Sequence, residues 1–199
     1  MDDWPASRFQ QDIYNADYIK VDPPIPGREH VPVRERPAYG IGQSIASCFD
    51  GNQSSIRVLD FGSGGDPGPT GLALQDRGFQ VFSYDPYRAG TGLPDGTFAL
   101  IVAIEVFEHC HDLEALARFM RERLAEDGVL WIQTLLHPHP TPKDVLSSWY
   151  IAPRNGHISI FTFPSLSALF RRFGINIVAT ASGLFGLKKM PGFRNGLFV

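Results

Sequence analysis

The chain has 199 residues, 43% of them apolar and 20% charged, with a net charge of −3 and a pI near 6.0. This suits one globular domain with a sizeable core. It offers no basic field of the kind that holds nucleic acid or an anionic membrane surface. The longest apolar run, Phe98 to Ile104, is too short to cross a bilayer. The two cysteines, Cys48 and Cys110, fit no metal or redox spacing, so reduced thiols in a cytoplasmic protein are expected. The opening stretch MDDWPASRFQQD is acidic and polar, unlike a signal peptide.

Residues 1–37 carry Pro23, Pro24, Pro26, Pro32 and Pro37 and read as an extended arm with one short helix near Gln10 to Tyr18. Residues 38–199 read as a single domain. A helix is expected over Pro37 to Phe49 and a loop at DGNQSS. IRVLDF is a buried strand. GPTGLALQDRG is a short helix opened by Pro69 and stopped near Gly78. FQVFSYD is a second strand. TFALIVAIE is a third, apolar on both faces as a central parallel strand should be. Asp112 is the expected N-cap of a helix over Leu113 to Glu126, ended by Gly128. Leu113, Leu116, Met120 and Leu124 form its inner stripe. VLWIQT is a strand, SLSALFRRFG a helix, and INIVATA and NGLFV are further strands. Strands alternating with helices predict a mostly parallel sheet covered on both faces.

The stretch VLDFGSGGDPG follows the first strand. In an open α/β sheet, ligands bind beyond the carboxyl ends of the strands. Glycines let the backbone turn sharply and approach a ligand. The dinucleotide fingerprint fails here, because Pro67 stands where the third glycine should follow Gly62 and Gly64. No Gly-Lys-Ser/Thr follows either, so this is not a P-loop. Asp60 precedes the loop and would repel a pyrophosphate but welcome an ammonium group. Asp85 closes the second strand, placed to accept both hydroxyls of a ribose. The site therefore suits a ribose and a cationic group without phosphate.

On these residues the chain resembles the class I S-adenosylmethionine-dependent methyltransferases. Asp60-Phe61-Gly62-Ser63-Gly64 is similar to their first motif, Tyr84-Asp85-Pro86 to their ribose-binding acid, and LPDGTFALIVAIEVFEH to their fourth-strand segment. WYIAPRNGHISIFTFPSLSALF resembles a bacterial small-molecule subgroup of that superfamily. The likeness covers about residues 38–199. It implies a Rossmann-like α/β fold with helices on both faces and a mostly parallel seven-stranded sheet, the last strand antiparallel. It implies S-adenosylmethionine as cofactor, held by Asp60, Gly62, Ser63, Gly64, Gly65, Asp85, Pro86 and Ile104. Gly62 and Gly64 would face the methionine part, Asp85 the ribose, and the end of the strand Ala99 to Ile104 the sulfur side. The chain departs from the pattern in three places. Asp66 and Pro67 replace the usual third glycine. Residues 86–97 are too few for the usual helix and strand. Ala99 stands where an aspartate commonly follows the phenylalanine.

Glu105-Val106-Phe107-Glu108-His109 follows the third strand. In a helical turn, Glu105, Glu108 and His109 share one face. With His157 from the later loop they make a candidate site for Mg²⁺ or Mn²⁺. The pattern resembles that of quinone-pathway O-methyltransferases and small-RNA terminal 2′-O-methyltransferases, where it implies a metal that orients the acceptor hydroxyl. Alternatively, these residues brace the helix start and His157 is a general base. The segment HPHPTPKDVLSSWYIAPRNGH is expected to cover the acceptor. In it, Trp149 and Tyr150 are candidate walls and Arg154 a candidate anchor for an anionic or sugar group. His137 and His139 are expected to be turn residues. The candidate catalytic residues are thus His157, His109 and Arg154. The expected activity is methyl transfer to a small-molecule acceptor, on a sugar- or glycan-related hydroxyl or a quinone- or phenol-like one. A metal-dependent RNA-terminus 2′-O-methyltransferase and a non-catalytic cofactor-binding module stay open as alternatives.

Overall fold

The computed structural model describes residues 4–13, 15, 31–87, 92–138, 150, 156–180 and 183–189. In chain order, helix α1 spans Ala6–Asp12, α2 Pro37–Ala46, strand β1 Arg57–Phe61, α3 Pro69–Asp76, β2 Gln80–Tyr84 and β3 Phe98–Ile104. Then follow α4 Leu113–Arg123, β4 Leu124–Gln133, α5 Phe163–Arg171, β5 Asn176–Thr180 and β6 Gly183–Leu187. Pro37 and Pro69 begin their helices, where a missing N–H costs nothing. Asp112 caps α4 by accepting from the Ala115 N–H at 2.8 Å. Thr162 and Ser165 form a reciprocal capping box at α5.

The strands form one sheet in the order β2-β1-β3-β4-β6-β5. The first four are parallel, and β6 runs antiparallel to both its neighbours. Helices cover both faces. On one, α4 and α5 bury Leu116, Met120, Leu166 and Phe170 against Leu59, Ile101, Leu130 and Ile132. On the other, Ile45, Phe49 and Leu74 of the α2–α3 side meet Val58, Leu100, Val102 and Trp131. The chain steps outward from β1 to β2, then returns to place β3 on the other side of β1. The strand order reverses there, and the crevice at such a switch point is where ligands bind in open α/β sheets.

Four expectations need correction. Among the described residues the sheet has six strands, not seven, with none between β2 and β3. The end of that short link is tied down by arginines: Arg57 donates to the Thr97 and Asp95 carbonyls at 3.1 and 3.0 Å, and Arg123 to Gly96 at 3.3 Å. Second, α4 ends at Arg123 rather than Glu126. Leu124, fully buried, enters the sheet opposite Phe98, and the register then shifts to Leu100–Val129. The last described strand, β6, is antiparallel as expected, and comes from a stretch whose glycines hide its pattern. A Cβ at Gly186 would lie 2.9 Å from Ile175, so close packing explains that glycine. The NGLFV stretch lies outside the described residues. Third, EVFEH is not an α-helical turn: Phe107–His109 is a 3₁₀ turn. Fourth, the short helix near the start spans Ala6–Asp12, beginning before the expected Gln10.

Candidate active site

The glycine loop leaves β1 at the switch point. Gly62 and Gly64 adopt φ of 71° and 62°, a region that glycine enters without steric cost. The Gly62 N–H donates to the Tyr84 carbonyl at 2.8 Å, tying the loop to the end of β2. A Cβ at Gly64 would meet nothing within 4 Å, so that backbone faces open space. Ser63 Oγ donates to the Gly65 carbonyl at 2.6 Å. The Asp66–Pro67 bond is cis.

Asp60 lies beneath this loop, 4% exposed. Its Oδ2 accepts from the Gly71 N–H of α3 at 3.1 Å. Burial, with a smaller push from the charge of Asp85, raises its pKa to about 7. Asp85 accepts from the Gly64 N–H at 3.2 Å through Oδ2 and from the Tyr87 N–H at 2.9 Å through Oδ1. The ribose acid expected at β2 and the glycine loop after β1 are therefore joined. Pro86 sits exposed in the turn between Asp85 and Tyr87. The Tyr87 hydroxyl lies 3.4 Å from His111 Nδ1, and the His111 ring stacks on Phe9 of α1 at 4.8 Å. Open backbone at a left-handed glycine beside a carboxylate, with a second, buried carboxylate below, fits an adenosyl amino acid bearing an ammonium group.

Beyond Ile104 the chain turns through Glu105, the one described non-glycine residue with positive φ, at 52°. Such strain clusters at functional sites. The turn presses Val106 against Gly62, where a Cβ would lie 2.5 Å from its Cγ2. Glu108 is completely buried. Tyr150 donates to its Oε1 at 2.6 Å and Thr134 to its Oε2 at 3.0 Å. Tyr150 also donates to Glu105 at 3.3 Å. Burial, then the neighbouring Glu108, lifts the Glu105 pKa to about 7. Burial and Glu108 likewise push the Tyr150 hydroxyl up.

The two histidines join this cluster. His109 Nδ1 lies 3.2 Å from the Gly156 carbonyl, and His157 Nδ1 2.6 Å from the Tyr150 carbonyl. A carbonyl only accepts, so each Nδ1 carries a proton, and in the neutral ring each Nε2 holds the lone pair. The Glu108 carbonyl accepts from Ile158 and Ser159, drawing the His157 segment onto the 3₁₀ turn. Ligand atoms of Glu108, His109 and His157 all lie within 4.8 Å of one another. Two nitrogens and one oxygen suit a divalent transition ion. Glu105, the fourth expected ligand, stands outside that set. Arg154, Trp149 and His139 lie outside the described residues. His137 is anchored by its backbone to Phe161.

A cavity of about 430 Å³ opens at the carboxyl end of β4, lined by Trp131, Gln133, Thr134, Leu136, Thr180 and Leu184 among others. The carbonyl of its lining residue Gln133 accepts from the Glu105 N–H at 2.8 Å. No described helix is long and apolar enough to cross a membrane.

The family model of the methyltransferase domain matches residues 33–180. The chain belongs to the S-adenosylmethionine-dependent methyltransferase family. Several solved methyltransferases share its fold. The 1,6-didemethyltoxoflavin N1-methyltransferase of Burkholderia thailandensis matches with a TM-score of 0.57 and 17% identity, over 91% of this chain and 85% of that one. CalO1, a methyltransferase of calicheamicin biosynthesis solved with S-adenosylhomocysteine, gives 0.53 and 15%, over 76% and 54%. Mitomycin 7-O-methyltransferase gives 0.52 and 14%, over 75% of this chain. The chain spans about half the length of the mitomycin enzyme, 52%. No curated protein matches it by sequence.

The sequence singled out Asp60, Asp85, the glycines, Glu108 and the two histidines as candidates, and the structure joins Asp85 to Gly64 and gathers Glu108 with the histidines. It did not single out Tyr87, His111 and Phe9 near Asp85, or Thr134 beneath Glu108. Tyr87 could have been found from its place two residues after Asp85. Phe9 and Thr134 carry no local signal.

Proposed function

We propose that this methyltransferase methylates the hydroxyl of a small sugar- or phenol-like acceptor, with His157 taking the hydroxyl proton. The observation that carries the reading is the His157 Nδ1 contact to the Tyr150 carbonyl at 2.6 Å. It supports, for the neutral ring, the tautomer whose Nε2 can take a proton, next to His109 and Glu108 and beyond the end of β3. When bound, S-adenosylmethionine supplies an electrophilic methyl group on a sulfonium sulfur. Asp85 would hold its ribose, the loop from Gly62 to Gly65 its amino-acid part, and Ile104 the sulfur side. Asp60 would favour the ammonium charge from below. The protein supplies position, worth up to about 7–11 kcal/mol in well-oriented cases, and a base for the oxygen. The cavity beside Thr134 has the size of a small-molecule site. Arg154 is assigned to an anionic or sugar group on the acceptor.

A second reading is supported by the gathering of Glu108, His109 and His157. In it these three hold Mg²⁺ or Mn²⁺, whose charge would lower the acceptor pKa. Against it, both oxygens of Glu108 already accept hydroxyl hydrogen bonds.

Calorimetry with S-adenosylhomocysteine and a methyl-transfer panel of phenols, sugars and short RNA test both. Wild type should bind S-adenosylhomocysteine, and His157→Ala should lose about 10²–10⁴-fold in kcat with binding intact. Activity that needs Mn²⁺ and vanishes on chelation would establish the metal reading. Methylation of RNA ends alone would overturn the small-molecule assignment. Tight cofactor binding with no transfer to any acceptor would favour a non-catalytic module. No response to S-adenosylhomocysteine would sink the whole assignment.

A further inference from the structure

The cavity at the end of β4 is walled by apolar groups such as Trp131, Leu136 and Leu184 and by the polar residues Gln133, Thr134 and Thr180. Its described lining holds no charged side chain. A charged group entering it would give up water without gaining a counter-ion. An anion would also meet the Glu108 carboxylate, which lies behind Thr134 and accepts its hydroxyl proton at 3.0 Å. The three polar residues are not equally free. The Thr134 proton is committed to Glu108, and Thr180 Oγ1 donates to the Gly183 carbonyl at 3.4 Å. Gln133 is exposed, and its side-chain amide makes no hydrogen bond to any described residue. Its backbone is held firmly. It is the last residue of β4, it stands opposite Ile104 in the ladder with β3, and its carbonyl accepts from the Glu105 N–H at 2.8 Å. A fixed strand end thus carries an uncommitted donor and an uncommitted acceptor on one side chain.

We propose that Gln133 determines acceptor specificity, selecting an uncharged acceptor whose neighbouring hydroxyls accept from its NH₂ group and donate to its carbonyl. This rests on the methyl-transfer reading and on the acceptor entering this cavity. The lining rejects charge, and the amide reads the pair of hydroxyls. A site built to hydrogen-bond a substrate group discriminates strongly against analogues that leave its own polar atoms unpaired. A sugar diol and a catechol both meet these conditions. Of the two roles assigned to Arg154, the sugar contact agrees with an uncharged acceptor and the anionic one does not. Because Gln133 is exposed, its side chain can be exchanged without disturbing the core, and a charge placed there should redirect the selection.

The test uses the full chain saturated with S-adenosylhomocysteine and three catechols of similar size, measured by calorimetry: protocatechuamide, which is neutral, protocatechuate, an anion, and dopamine, a cation. Wild type should bind protocatechuamide about tenfold more tightly than either charged probe. Gln133→Glu should shift the preference about tenfold toward dopamine, and Gln133→Lys about tenfold toward protocatechuate. Gln133→Met, neutral and of similar length, should weaken protocatechuamide about tenfold through its lost hydrogen bonds. All three variants should bind S-adenosylhomocysteine as wild type does. The proposal is overturned if the charged probes bind wild type as tightly as protocatechuamide, if the charge swaps leave the order of the probes unchanged, or if Gln133→Met binds protocatechuamide as wild type does. A saturated chain that seats none of the three probes also overturns it. A wild-type chain that does not bind S-adenosylhomocysteine instead removes the methyl-transfer reading itself.

Discussion

Gly62 and Val106 interlock: a methyl group at Gly62 would stand 2.5 Å from Val106 Cγ2 and 2.8 Å from Cγ1. The glycine loop after β1 and the strained turn after β3 are thus one packed unit. Gly62→Ala meets both this contact and a left-handed φ, and should cost about 2 kcal/mol or more. Denaturant unfolding should show the loss, and calorimetry should show weaker S-adenosylhomocysteine binding. Adding Val106→Ala should recover the steric part and leave the backbone part. A double variant no better than Gly62→Ala would refute the interlock.

Asp60 makes the ligand-free protein sensitive to pH. Its folded pKa, about 7, lies above the unfolded value of 3.8. The folded state then holds the proton more tightly, so this group's contribution falls as pH rises from about 4 to 7 and is flat above. The penalty at pH 8 should be a few kcal/mol, set by burying a carboxylate beside a second one. Asp60→Asn should therefore raise the ligand-free Tm at pH 8 more than at pH 5. It should also weaken S-adenosylhomocysteine binding above pH 7, where the carboxylate would have met the ammonium group. Equal Tm gains at both pH values would contradict the assignment.

Tyr150 holds the base of the histidine cluster. Tyr150→Phe removes the 2.6 Å donor to Glu108 and the contact to Glu105. A buried carboxylate that loses a donor costs about 1–3 kcal/mol. The variant should melt earlier and lose kcat more than cofactor affinity, because Asp85 and the glycine loop are untouched. Steady-state kinetics beside calorimetry read this split. An unchanged kcat would show that the hydroxyl supports only the fold.

The clasp between the arm and α3 titrates in the opposite direction. Arg34 grips Asp76 with both ends of its guanidinium at 2.8 and 2.9 Å, and Tyr39 donates to the same carboxylate at 2.8 Å. These partners, Arg34 first and Tyr39 next, lower the Asp76 pKa. A depressed folded pKa gives stability that is present above the unfolded value and is lost as pH falls through the folded one. Asp76→Asn should lower the Tm at pH 7, by less in high salt because the Arg34 pair is exposed. Near pH 2 the variant and wild type should converge. A Tm difference that persists there would point to packing instead of charge.

The alternation of strands and helices and the apolar runs at Val58 and Leu100 made the sheet legible in the sequence. Asp60 and Asp85 were legible as candidates because each closes or nearly closes a strand, and strand ends are where such folds bind. Glu108 and His157 were found by residue type, but their partners were not. The fold brings Thr134 and Tyr150 to Glu108 by pairing distant segments, and no local periodicity records that. Strand β6 escaped because Gly183 and Gly186 dilute its pattern, although Gly186 is needed for the backbone to approach Ile175 and Leu130. The end of α4 was misplaced because helix propensity favoured Ala125 and Glu126, while pairing with Phe98 claimed Leu124 for the sheet.

The placement of β6 has a consequence for how the chain assembles. Among the described residues β5 pairs with β6 alone, and β6 in turn joins it to β4. A chain emerging from the ribosome can complete β1 to β4 in near-sequential order. The α5–β5 unit must then wait, docked only through side chains such as Leu166 and Phe170, until residue 187 is free to slide between two strands already made. Such late, non-local pairing slows folding and leaves strand edges open meanwhile. The half of the described sheet beside the cavity at the end of β4 is thus the last to close during synthesis, and the segment where chaperone contact would persist longest.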